Sequence, residues 1–110
     1  RDYKQAVDQL TIVLTSEPKL DAGRWLRARC YLKLNQNELA LADLATVAQN
    51  QPSHDAILKD YLTLVKQLRG QSELERTLKD MAPRIPPQLV QQLRTLFLPT
   101  SPDAANNRTP

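Results

Sequence analysis

Proline stands at Pro18, Pro52 and Pro86, at a constant spacing of 34 residues. The residues around these prolines keep the same spacing. Ala6, Leu10 and Val13 align with Ala40, Leu44 and Val47, and Asp21 and Ala22 align with Asp55 and Ala56. Leu44, Ala48 and Pro52 align in turn with Leu78, Ala82 and Pro86. A fixed period of this length marks an array in which each unit buries its apolar face by stacking on its neighbours. A closed globular core needs no such period.

Within each period the apolar residues recur at three- and four-residue steps, which gathers them on one face of a helix. Ala6, Val7, Leu10, Val13 and Leu14 predict a first helix over 2–15, with Asp2 as its cap. Leu26, Cys30 and Leu34 predict a second over 21–34, capped by Asp21. The polar turn Asn35-Gln36-Asn37 is short enough to lay the next helix antiparallel to it. That third helix, 38–49, is apolar on more than one face and is expected between neighbours. Ser53 is expected to cap a fourth helix over 54–69 ending at Gly70, and Ser72 with Glu75 to form a capping box for a fifth. Pro86-Pro87 opens a sixth, since proline is tolerated in a first helical turn.

Composition narrows the function. The chain of 110 residues is 41% apolar and 25% charged, with a net charge of +3. Fifteen basic against twelve acidic residues, with few aromatics, do not make a nucleic-acid patch, so no nucleic-acid partner is expected. The longest apolar run is Leu39 to Ala42, too short to cross a bilayer, so no membrane insertion is expected either. A single cysteine, Cys30, excludes an internal disulfide and lies on the apolar line of its helix. The one histidine, His54, has no catalytic neighbour in the sequence, metal-ligand spacing is absent, and two glycines cannot build a phosphate loop. No catalytic residue, metal or cofactor is therefore expected, and the chain reads as a non-enzyme. Glu38 and Asp43 read as surface charges. Asn107-Arg108-Thr109 matches a glycosylation sequon, and Ser101-Pro102 and Thr109-Pro110 match phosphorylation sites, all as chance matches in a tail.

The period and its closing proline resemble the tetratricopeptide repeat (TPR), a unit of two antiparallel helices. Tyr31, Ala28, Ala40, Leu44, Val47 and Pro52 fall on the family's aromatic, small, apolar and proline positions. Arg24 and Arg27 depart from it, standing where large apolar residues are usual, and Trp25 is one place from the common tryptophan. In the unit from Asp55, Leu58 and Leu78 fit, but Leu62 and Leu74 replace small residues. The resemblance implies an all-α fold: antiparallel helical hairpins stacked as a right-handed superhelix, with about two and a half repeats and a C-terminal capping helix. Residues 1–98 form the repeat domain. Within it, 2–18 is the second helix of a partial repeat, 20–52 a full repeat, 53–86 a degenerate repeat and 87–98 the cap. Residues 99–110 contain no bulky apolar side chain and are expected to be a disordered tail.

The first unit lacks its first helix, so Val7, Leu10 and Leu14 need more cover than the next unit supplies. This predicts either the C-terminal end of a longer array or docking on another subunit, with homo- or hetero-oligomers formed through the N-terminal half-repeat.

The family binds partners on the concave face, lined by the first helix of each repeat. The resemblance therefore places Trp25, Arg29, Leu32 and Lys33, with Ala56, Lys59, Asp60, Thr63 and Lys66, along a groove. The candidate binding residues are Trp25, Arg29, Lys33, Lys59 and Lys66, and an acidic peptide or partner subunit is the fitting guest. Trp25 serves as the guest's anchor or is consumed in packing between helices. Co-chaperones of the family clamp a C-terminal carboxylate with lysine, asparagine and arginine. Trp25, Arg29, Ala56 and Asp60 occupy those places here, so that clamp is not present. The expected function is a protein–protein interaction scaffold. The alternative is a structural subunit or assembly factor that uses its outer faces and exposed first helix.

Overall fold

A computed structural model describes residues 2–99 of the chain. The tail expectation concerns residues that, Pro99 aside, lie outside this range, as do the sequon and the two Ser/Thr-Pro sites. Six α-helices and one 3₁₀ turn make up the described residues: α1 (Tyr3–Ser16), α2 (Asp21–Lys33), α3 (Asn37–Asn50), α4 (Asp55–Arg69), α5 (Gln71–Met81), the 3₁₀ turn Ala82–Arg84 and α6 (Pro87–Phe97). No helix among them is long and apolar enough to cross a membrane.

The helix starts carry the sequence period. Tyr3, Asn37 and Gln71 begin α1, α3 and α5, and Asp21 and Asp55 begin α2 and α4. The turns between helices repeat bond for bond. Glu17 N–H donates to the Val13 carbonyl at 2.8 Å and Gln51 N–H to that of Val47 at 2.9 Å. Leu20 N–H to Glu17 and His54 N–H to Gln51 are both 3.1 Å. Pro18 and Pro52 sit inside these turns, where the residue before each cannot continue a helix.

Capping follows local chemistry, with three adjustments. Asp2 Oδ1 accepts from Gln5 N–H at 2.9 Å, as expected of an N-cap. At α4 the cap is His54 rather than Ser53: its Nδ1 accepts from Ile57 N–H at 3.3 Å. At α2, Asp21 is the first helical residue, where its charge favours the positive end of the helix. No capping box forms at Ser72. Gly70 ends α4 and begins α5 at once, and its φ of 96° and ψ of 170° are open only to glycine. A single linking residue leaves no turn in which Ser72 could precede the helix.

From α1 to α5 each helix packs on the next, and α6 folds back on α4. Leu44, Leu58, Leu62, Leu74, Leu78, Leu93 and Val47 are the largest fully buried side chains, and one continuous core joins α2 to α6. Size is exchanged between units to keep this packing dense. In the first unit Leu14 reaches over Gly23, where a Cβ would lie 3.7 Å from its Cδ2 and 3.2 Å from Leu20. One period later the small residue is Ala48 and the large one Ile57, both buried.

Candidate functional site

The side chains that face outward from the first helices of successive units meet in a cleft between α2 and α4. Arg29 and Lys33 lie one turn apart on α2, and Thr63 and Gln67 stand at the same places on α4 one period later. Leu32 and Leu64 form the floor, and Asp60 closes one side of a cleft of about 390 Å³. The cleft thus has an apolar floor and a cationic wall on its α2 side.

Trp25 forms the backing of this cleft. Its indole N–H donates to Asp60 Oδ2 at 2.9 Å, which ties α2 to α4. Its ring meets His54 edge-on, with centroids 5.2 Å apart and planes at 74°. The Arg29 guanidinium lies 5.8 Å from the indole centroid, within cation–π range. Three groups thus hold the half-buried tryptophan beside the cleft, and Trp25 itself does not line it.

Of the five candidate residues, the fold brings Arg29 and Lys33 into one cleft, with Trp25 behind them. Lys59 is elsewhere. It lies 3.6 Å from Asp55 in an exposed i, i+4 pair and lines a second cleft with Gln91, Gln92, Thr95 and Leu96 of α6. Lys66 is exposed on α4, outside both. Leu64 and Gln67 line the first cleft and escaped the sequence reading. The period itself points to Gln67, which stands at the place of Lys33, whereas Leu64 stands at the place of the buried Cys30.

Asp43 is a correction. It reads as a surface charge, yet it is only 6% exposed. Arg27 bridges it with both Nε and Nη2, each at 2.8 Å, and Arg24 approaches to 3.9 Å. The two arginines that depart from the family pattern are therefore the partners of one buried carboxylate. The hydrogen bond to Asp43 raises the Arg27 pKa above its ordinary value despite burial. Glu38 does lie at the surface, in a bidentate pair with Arg69 at 2.7 and 2.9 Å. Cys30 is buried in the apolar line.

A polar staple fastens α2 to the end of α3. Asp21 accepts from Asn50 Nδ2 at 3.0 Å and from Gln51 Nε2 at 2.8 Å. These bonds, Asn50 first, hold its carboxyl below the usual aspartate range. A carboxyl with a folded pKa below its unfolded one stabilises the fold at neutral pH, and that stability is lost as pH falls below about 4. Asp21→Asn is accordingly expected to cost under about 1 kcal/mol near pH 7. It should also flatten the drop in thermal midpoint measured between pH 5 and pH 3. An unchanged acid limb would show that the staple contributes nothing.

No protein-family model, no curated protein and no solved structure matches this chain.

Proposed function

We propose that the chain is a TPR-like interaction scaffold that holds an acidic peptide segment of a partner protein in the cleft between α2 and α4. The observation that carries this reading is the pairing of Arg29 and Lys33 over the apolar floor of Leu32 and Leu64. Both cations are exposed, Arg29 against the Trp25 ring, so both are within reach of a guest. Asp60, on the α4 side, is committed to Trp25 and repels a second carboxylate there, which sets the side on which the acidic groups lie. Leucine-sized side chains of the guest would rest on the floor.

The test uses an oligo-glutamate peptide carrying one leucine, titrated while the fluorescence of Trp25, the sole tryptophan, is followed. Reversing both charges, Arg29→Glu with Lys33→Glu, should weaken binding by about tenfold or more and flatten its salt dependence. Lys66→Glu, outside the cleft, should change little. Equal affinity of all three proteins for the peptide would sink the reading.

A further inference from the structure

Every second helix of the array carries a face built to be covered. In the second unit, Ala40, Leu44 and Val47 of α3 are 0%, 1% and 0% exposed. The helix α2 lies across them, with Arg27 reaching Asp43 between Ala40 and Leu44. In the third unit, Leu74 and Leu78 of α5 hold the places of Ala40 and Leu44. They are 0% and 2% exposed, with α4 packed on that helix. In the first unit the same places belong to Ala6, Leu10 and Val13 of α1, and they are open. Val13 is 40% exposed, and Ala6 and Leu10 are only half-buried. Leu26 of α2 stands where Asp60 stands on α4. Asp60 is met by Trp25, whereas Leu26 is 51% exposed. Ala6, Leu10 and Leu26 line an open cleft between α1 and α2 together with Asp2, Gln5 and Gln9.

We infer that this cleft is the seat of one more helix of the first-helix type, carried by the polypeptide that leads directly into α1. The two later units supply the reason for choosing that occupant. There the covering helix is always the one that precedes the covered helix in the chain. It arrives through a very short link, residues 34–36 between α2 and α3 and Gly70 alone between α4 and α5. A cover for α1 in the same geometry ends just ahead of Tyr3, a point that only the preceding polypeptide reaches without competition. Its chemistry also follows from the cleft. Gln9 replaces Asp43, so no arginine is required opposite it. Leu26 replaces Asp60, so an aliphatic residue suits the place of Trp25 better than an indole seeking an acceptor. The missing helix is thus more apolar toward its neighbours than α2 is. This inference is independent of the cleft between α2 and α4.

Two measurements test it. The coding sequence ahead of Arg1 should encode an amphipathic helix whose apolar residues keep the 34-residue spacing to Ala28 and Leu62. A preceding stretch without that stripe overturns the inference. The second test places a copy of residues 21–34 directly before Arg1, which continues the period in register, with leucine at the places of Trp25 and Arg27. The extension should raise the thermal midpoint by about 5–10 °C and increase the urea m-value, which scales with buried surface. Leu10→Asp should abolish that gain while moving the unextended chain far less. An unmoved midpoint, or a Leu10→Asp cost equal in both proteins, overturns the inference. So does a dimer of the 110-residue chain that Leu10→Asp dissociates, because the cleft then belongs to a second copy.

Discussion

Leu44→Ala is expected to destabilise the array by about 3 kcal/mol, whereas Leu10→Ala, the same substitution at the same place one unit earlier, costs about 1 kcal/mol. The two leucines share helix position, period and apolar neighbours in sequence. They differ in cover. Leu44 is 1% exposed because α2 and α4 enclose it, so truncation removes its transfer free energy and leaves a cavity that a rigid surround cannot fill. Leu10 faces the open cleft between α1 and α2, so water already reaches it and no closed cavity forms. Urea denaturation of both variants at a common m-value measures the difference, and thermal midpoints separated by roughly 8–16 °C give the same result. Equal costs would mean that the two faces are equally covered in solution, against the structure described above.

The second large effect concerns the charge pair inside the array. Arg27→Ala leaves Asp43 with only Arg24, 3.9 Å away, and is expected to cost about 2–3 kcal/mol, the penalty of a buried carboxylate that loses its two good donors. Arg27 ties three helices, since its Nη1 also donates to Thr11 Oγ1 of α1 at 3.1 Å and its guanidinium lies 5.6 Å from the Tyr31 ring. Asp43→Ala should cost less, about 1–2 kcal/mol, because the Arg27 side chain is 17% exposed and its freed guanidinium can turn to water. Replacing both, Arg27→Leu with Asp43→Leu, should recover most of the loss, since an apolar pair of similar volume carries no desolvation penalty. The double-mutant cycle, closed with Arg27→Leu and Asp43→Leu as its single variants, measures the coupling. A double variant as unstable as the sum of the single ones would show that the two residues contribute independently.

These contrasts locate what was legible in the amino-acid order. The 34-residue spacing of proline and apolar residues placed the helices, their antiparallel succession and the pairing of Arg29 and Lys33 on one face. Local rules sufficed there: a proline after a helix, a carboxylate at an N-cap and a stripe at three- and four-residue steps act over a few residues. The cleft wall on α4 was half legible, since Thr63 was reached by the register while Gln67, one turn further on, was not. His54 as a cap escaped because Ser53 is the commoner choice, and only the helix start at Asp55 distinguishes them.

By itself, then, the sequence determined an all-helical array with a fixed phase and a face along each helix. Which polar groups that array would bury was decided only by the tertiary structure. Asp43 and Arg27 are sixteen residues apart on different helices, and Trp25 and Asp60 thirty-five. Helical periodicity says which way a side chain points from its own axis. It does not say how far a neighbouring helix leans over it, and that distance settles whether a carboxylate meets water or a guanidinium. The same distance separates Leu10 from Leu44: two residues alike in sequence, one covered by a helix and one still open to the helix that would complete the array.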